Sequence, residues 1–235
     1  KTRIDLEDVG YSNKITNKAI LKILENAGAR QSETIHFGLN DMENVGFSWI
    51  LLGWKVKILK RPIYNEELTI NTWGRESNRI FTYRDYEIYD ESGELCTIAT
   101  SKWAIVDINT GKLRELTPEI IEKYQCETKK VFKEDYTLKL KEPTTIIRKQ
   151  EYKAQRRDID INKHIHNLYY LDYAYEVLPE EVYEAPECNN IEIMYKKQIR
   201  LNDEFKCLYT KEKNQNIVTM KSEDENTLHA IIKLY

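Results

Sequence analysis

Tyr11-Ser12-Asn13-Lys14-Ile15-Thr16-Asn17 and Asp160-Ile161-Asn162-Lys163-His164-Ile165-His166 both carry an Asn-Lys pair, and each stretch opens a run of apolar residues at helical spacing. In the first run Ile15, Ala19, Ile23, Leu24 and Ala27 fall on one face; in the second Leu168, Leu171, Tyr175 and the pair Val177-Leu178 follow a less regular stripe. Extended segments come next in both halves. Asn65-Glu66-Glu67-Leu68 answers Asn202-Asp203-Glu204-Phe205, each standing between two strand-like runs. Arg79 to Asp90 and Gly93 to Val106 then read as a hairpin around Glu91-Ser92-Gly93, and Asn216 to Lys221 and Leu228 to Leu234 as another around Asp224-Glu225-Asn226.

The same order of elements, used twice, describes a duplicated α+β architecture. Each repeat is one apolar helix followed by several antiparallel strands that wrap around it, so the expectation is a tandem (double) hot-dog fold. The repeats are expected at 1–125 and 146–235. A linker at 126–145 follows a helix that starts at Thr117-Pro118-Glu119 and takes in the charged stretch Glu127 to Glu142.

Composition excludes several function classes. With Lys+Arg 36 against Asp+Glu 39, the net charge of −3 argues against nucleic acid or an anionic membrane as partner. The most apolar stretch, Val45 to Leu59, is interrupted by Lys55 and Lys57 and falls short of the ~20 residues that cross a bilayer. Cys96, Cys126, Cys188 and Cys207 lack CxxC spacing, which fits reduced thiols in a cytoplasm. The chain starts at Lys1 with no apolar segment behind it, which reads as a trimmed start rather than a signal peptide. Sixteen tyrosines and four tryptophans, against eight glycines and five prolines, suggest long regular strands.

The chemistry concentrates in the second repeat. Asp160, Asn162 and His164 lie just before a helix, whose N-terminal N–H groups could hold the oxygen of a polarised thioester carbonyl. Asp160 is the candidate base, Asn162 would hold the water or the carbonyl, and His164 would orient its neighbours or carry a proton to the leaving thiolate. The plainer alternative is that Asp160 and Asn162 cap the helix. Matching the two Asn-Lys pairs sets Ile15 opposite His164, so the first repeat lacks this constellation and is left as a binding surface. Two imidazoles and a carboxylate, His164, His166 and Asp160, could also ligate a metal, although His36 and His229 belong to other elements. The expectation is no metal and no cofactor.

The run Asp158-Ile159-Asp160-Ile161-Asn162-Lys163-His164-Ile165-His166-Asn167-Leu168-Tyr169-Tyr170, with Tyr195-Lys196-Lys197-Gln198-Ile199 further on, resembles the acyl-acyl carrier protein (acyl-ACP) thioesterases of plants and bacteria. Their signature reads Asp-x-Asp-x-Asn-x-His-x-Asn-Asn-x-x-Tyr and later Tyr-Arg-Arg-Glu-Cys or a variant. Trp54 to Pro62 and Thr72-Trp73 extend the likeness through the first half. The resemblance implies hydrolysis of fatty acyl-ACP to free fatty acid and carrier protein, with a catalytic C-terminal repeat and an N-terminal repeat that shapes the acyl pocket. Carried over by position, Asp160, Asn162, His164 and Gln198 are the catalytic set.

Gln198 stands where the family has a glutamate. Glutamine can orient a water but cannot take its proton. Ile199 replaces a cysteine and His166 an asparagine, and with no cysteine in either motif a covalent cysteine route has no support.

The carrier protein is acidic, so its docking surface should be basic; Arg156, Arg157, Lys196 and Lys197 are the candidates, against the alternative of a solvated strand face. Phe47, Trp49 and Leu51, alternating on one strand, and Trp73 are candidate substrate-binding residues. A monomer or homodimer is expected. A rival chemistry is hydration, because Asp160-x-Asn162-x-His164 also resembles the Asp-x-Asn-Pro-x-His of enoyl-thioester hydratases, with Lys163 in place of the proline. The other rival is a non-catalytic acyl-thioester-binding protein.

Overall fold

The computed structural model describes residues 1–75, 79–134, 137–183 and 188–235. It divides into two compact units, Lys1–Tyr136 and Thr137–Tyr235. In the first, β1 (Thr2–Arg3), α1 (Asn17–Thr34) and the short α2 (Met42–Val45) precede β2 (Phe47–Ile58), β3 (Glu67–Gly74), β4 (Thr82–Tyr89) and β5 (Leu95–Asp107). A two-residue β6 (Leu113–Arg114) and α3 (Pro118–Lys123) complete it. In the second, β7 (Arg148–Lys153) leads to α4 (Tyr169–Val177), α5 (Glu180–Tyr183), β8 (Asn190–Tyr195), β9 (Glu204–Glu212), β10 (Gln215–Ser222) and β11 (Leu228–Leu234).

The two sheets share one topology. Strand order is β2-β5-β4-β3-β1 in the first unit and β8-β11-β10-β9-β7 in the second, antiparallel throughout. The hairpins fall where the turn residues put them: Asp90 closes the β4–β5 turn by accepting the N–H groups of Ser92 and Glu94, and Asp224 accepts the N–H of Asn226 between β10 and β11. The architecture is a hot-dog fold used twice.

The long helix of each unit, α1 and α4, buries an apolar face on its own sheet. In α1 the buried side is Ala19, Ile20, Leu21, Ile23 and Leu24, and Thr16 caps the helix by accepting the Ala19 N–H at 3.1 Å. Gly28 lets the helix approach β4 closely, since a Cβ there would come within 2.8 Å of the Tyr86 hydroxyl. Trp54 and Tyr86, both fully buried, pack 5.4 Å apart beneath it. In the second unit Tyr170, Leu171, Ala174 and Val177 form the buried side of α4, and Tyr173 stacks edge-on against Phe205 and Tyr152, both at 4.9 Å.

Parts of the charged stretch after α3 are tied down, although most of its described residues are exposed. In the first unit Trp73 Nε1 donates to the Lys129 carbonyl, and the Val131 N–H donates to Asp85, a fully buried carboxylate. In the second, Leu138 and Leu140 pack against Met194, Ile217 and Ile231, and Lys221 pairs with Glu142 at 2.9 Å. Helix α3 starts as its sequence predicts, with Thr117 accepting the Ile120 N–H.

Candidate active site

The motif of the second unit is two nested turns. Asp158 closes a short 3-10 turn by accepting the Gln155 N–H at 2.8 Å, and it also receives the Tyr173 hydroxyl at 2.6 Å; it is buried and its role is structural. An Ile159–Ile165 bridge then pinches off a loop in which the Asp160 N–H donates to the His164 carbonyl at 2.8 Å. Lys163 takes the left-handed conformation at φ +64°. Proline, fixed near −65°, cannot occupy that position, so the proline of the hydratase motif has no place in this turn.

Asp160, Asn162 and His164 are thereby brought into one loop. One carboxylate oxygen of Asp160 accepts the backbone N–H of Asn162 at 2.8 Å and of His164 at 3.3 Å; the other is approached by the Asn162 side-chain amide at 3.5 Å. Asp160 therefore caps its own loop and not a helix. His164 is half-buried, and this burial lowers its imidazole below the ordinary histidine range. The Asp160 carboxylate opposes the shift, Arg200 reinforces it and Asp203 opposes it. At neutral pH the ring is a neutral proton acceptor.

The segment carrying Gln198 runs beside this loop. The Ile165 N–H donates to the Ile199 carbonyl at 2.8 Å, and His164 pairs with Arg200 in an antiparallel bridge. Two residues upstream the segment is clamped by His229: its Nδ1 lies 2.8 Å from the Lys197 carbonyl, and its carbonyl accepts the Lys196 N–H at 2.8 Å. Tyr170 supports the same segment from the core, with its ring edge-on to Tyr195 at 5.3 Å and its hydroxyl bonded to the Ile199 backbone. Gln198 itself is exposed. Sequence reasoning missed His229, a lone histidine on a strand with no local signal, and Tyr170, whose place at the end of the quoted motif was the available hint.

Two expectations need correction. The first concerns α4, which begins only at Tyr169, so its N-terminus does not adjoin His164; the Leu168 and Tyr169 N–H groups are taken by His166 Nδ1 and the His166 carbonyl. The second is that Lys14, not Ile15, corresponds to His164. The Gly10 N–H donates to the Lys14 carbonyl just as Asp160 does to His164, and Asn13 is left-handed just as Lys163 is. The shared Asn-Lys pair is thus one residue out of register. Gly10, Ser12 and Lys14 replace Asp160, Asn162 and His164.

Since Ile15 bonds to Pro62 as Ile165 does to Ile199, the counterpart of Gln198 is Arg61. Its guanidinium donates to the Ile15 carbonyl at 2.8 Å and to Asn17 Oδ1 at 2.6 Å.

Of the substrate-binding candidates, Phe47 and Trp49 share a cluster with Phe37 and Tyr124, with ring centroids 5.5 to 6.2 Å apart, and Leu51 is buried further along the same strand. Trp73 does not join them. The register Trp73–Asp85–Thr100 sets it on the opposite face of the sheet from Trp49–Ile105, with the Lys129 ammonium 4.3 Å over its ring. Arg156, Arg157, Lys196 and Lys197 are all exposed; Arg157 lies 3.8 Å from Asp158, and among the described residues the other three make no ion pair. His166 spends Nδ1 on the Leu168 N–H, and among the described residues no group of three His, Cys, Asp or Glu side chains could hold a metal.

Comparison with known proteins adds the following. Residues 1–124 match the family model described as acyl-ACP thioesterase N-terminal domain, and residues 141–233 the C-terminal domain. The chain is 25% identical over 228 residues to oleoyl-acyl carrier protein thioesterase 2, chloroplastic, of Arabidopsis thaliana, covering 90% of this chain and 62% of that protein. It is 26% identical over 156 residues to the chloroplastic palmitoyl-acyl carrier protein thioesterase of Cuphea hookeriana, covering 64% of this chain and 38% of that protein. The chain thus spans less than two thirds of the length of these relatives. Among solved structures, an acyl-ACP thioesterase from Bacteroides thetaiotaomicron superposes with a TM-score of 0.87 at 21% identity, over 99% of this chain and 94% of that one. The 12:0-ACP thioesterase from Umbellularia californica gives 0.86 at 17%, over 99% and 94%.

Proposed function

Because the chain belongs to the acyl-ACP thioesterase family, we propose that it hydrolyses the thioester of fatty acyl-ACP, releasing free fatty acid and the carrier thiol. The observation that carries this reading is the loop that gathers Asp160, Asn162 and His164 beside the segment bearing Gln198. Asp160 takes a proton from water as the oxygen attacks the carbonyl carbon, forming the C–O bond and moving the π pair onto the carbonyl oxygen. Collapse re-forms the C=O bond and breaks C–S, and the proton held by Asp160 passes through His164 to the thiolate. Asn162 and Gln198 orient the water and the carbonyl. We place the acyl chain against Phe47, Trp49 and Leu51 of the first repeat, and the linker between repeats at 126–145.

Docking of the acidic carrier falls to Arg156 and Arg157, with Lys196 and Lys197 beside Gln198; their exposure and scarcity of ion pairs support this. Reversing the first two (R156E with R157E) is expected to raise the apparent KM for acyl-ACP about tenfold and flatten its salt dependence, with kcat little changed. An unchanged KM and salt slope would remove these residues from the docking surface. On the scattered spacing of its four cysteines we place the protein in a reducing cytoplasm, acting as a monomer or homodimer.

The direct test is thiol release from acyl-ACP over a range of chain lengths. In that assay Gln198→Glu is expected to match or exceed the wild type, because a second carboxylate beside His164 adds a proton acceptor to a site that already orients its water. A strong loss in the variant would mean that the neutral amide is required.

A further inference from the structure

If hydrolysis is the reaction, replacing the family's glutamate with Gln198 leaves a deficit of negative charge near His164. The antiparallel bridge between His164 and Arg200 brings the turn 200–203 alongside the catalytic loop. Within that turn Asn202 is left-handed at φ +68°, and the Asp203 carboxylate folds back to accept the Arg200 N–H at 2.8 Å. The carboxylate is thus held against the residue paired with His164. Asp203 is exposed, and among the described residues it makes no ion pair.

We propose that Asp203 is a positioning residue for the hydrolysis, supplying across this turn the negative charge at His164 that glutamine at position 198 cannot. The inference rests on the thioesterase reading. Of the charges acting on His164, Arg200 disfavours a protonated imidazole, while Asp160 and Asp203 favour it; burial disfavours it most of all. Asp160 loses its charge each time it holds the water's proton. Asp203 keeps its own throughout, so the imidazolium that must form on the way to the thiolate always has one fixed anion to offset Arg200. The same carboxylate also favours protonation of His229, the residue that clamps Lys197.

The turn itself recurs in the first unit, where Asn65 is left-handed and Glu66 accepts the Ile63 N–H at 3.3 Å. There Lys14 stands in place of the histidine, so the cap has only a turn to hold. This recurrence separates the charge of Asp203 from its cap: asparagine keeps an oxygen for the Arg200 N–H and removes the charge, and glutamate, the residue in the other copy, keeps both.

The test compares wild type, Asp203→Asn and Asp203→Glu by two readouts. One is the NMR titration of the His164 ring without substrate, assigned with His164→Gln; the other is the pH profile of thiol release. Turnover needs a neutral His164 at rest, so activity is lost as pH falls through its pKa. Asp203→Asn is expected to move that titration, and the acid limb with it, to lower pH. It should also reduce kcat near neutrality on the order of fivefold, a fraction of the ~10²–10⁴ that acid–base catalysis supplies. Asp203→Glu should restore both.

An Asp203→Asn enzyme matching wild type in both readouts overturns the proposal, as does an acid limb that moves while the His164 titration stays put. A wild type that releases no thiol defeats the hydrolase reading and the catalytic part of this proposal with it. That failure is recognisable because the His164 titration would still respond to Asp203→Asn.

Discussion

Asp160→Asn is expected to lower kcat for acyl-ACP hydrolysis by about 10²–10⁴-fold with little change in KM, the loss associated with removing a general acid–base group. The substitution is nearly isosteric. The amide oxygen can still accept the Asn162 and His164 N–H groups that the carboxylate accepts at 2.8 and 3.3 Å, so the loop should survive. What disappears is the capacity to take a proton from water. Because Gln198 has no such capacity, no second carboxylate in the family's position can stand in. The melting temperature should therefore stay within a degree or two of wild type, on the order of the ~0.5 kcal/mol tolerance of uneventful substitutions. A large fall in stability alongside the activity loss would assign Asp160 to the turn rather than to the chemistry.

Trp54→Ala is expected to have the largest effect on stability, about 3–5 kcal/mol, read as a lowered denaturant midpoint. Trp54 is 0% exposed, lies on the helix-facing side of β2 and packs on the equally buried Tyr86, which itself meets α1 at Gly28. Rings held between a helix and a sheet cannot collapse into the vacated volume without moving one of the two. Tyr11→Ala, at a side chain 82% exposed, is the matched control and should stay within about 0.5 kcal/mol. A small loss at Trp54 would mean that α1 can settle onto the sheet.

The duplicated fold was legible because its signals are local. The 3.6-residue stripe from Ile15 to Ala27 marked α1, Thr117-Pro118 marked α3, and Asn65 and Asn202 marked turns that require positive φ. The catalytic loop was legible for the same reason, since Asp160, Asn162 and His164 are close in sequence.

What escaped depends on partners far along the chain. An identical Asn-Lys pair suggested a correspondence one residue out of register, and only the backbone bonds of Gly10 and Asp160 set Lys14 against His164. Arg61 is invisible as the counterpart of Gln198 until Pro62 and Ile199 are seen bonding to equivalent residues. The charged stretch Glu127 to Glu142 gives no local sign of its partners: the Val131 N–H meets a buried carboxylate, and Leu138 and Leu140 face an apolar cluster. In sequence Trp73 is a substrate-binding candidate beside Phe47 and Trp49, and only the register shows that its face is not theirs.

The central claim, that the Asp160 loop hydrolyses acyl-ACP, is tested most directly by single-turnover thiol release from a series of acyl-ACP chain lengths, comparing wild type with Asp160→Asn. One thiol per fatty acid from the wild type, released about 10²–10⁴-fold more slowly by Asp160→Asn, is the result expected. An equally active Asp160→Asn enzyme would contradict the assignment of the base. A wild type that releases no thiol at any chain length, yet rises in melting temperature with acyl-ACP, would contradict hydrolysis itself and make the protein a binder of acyl thioesters.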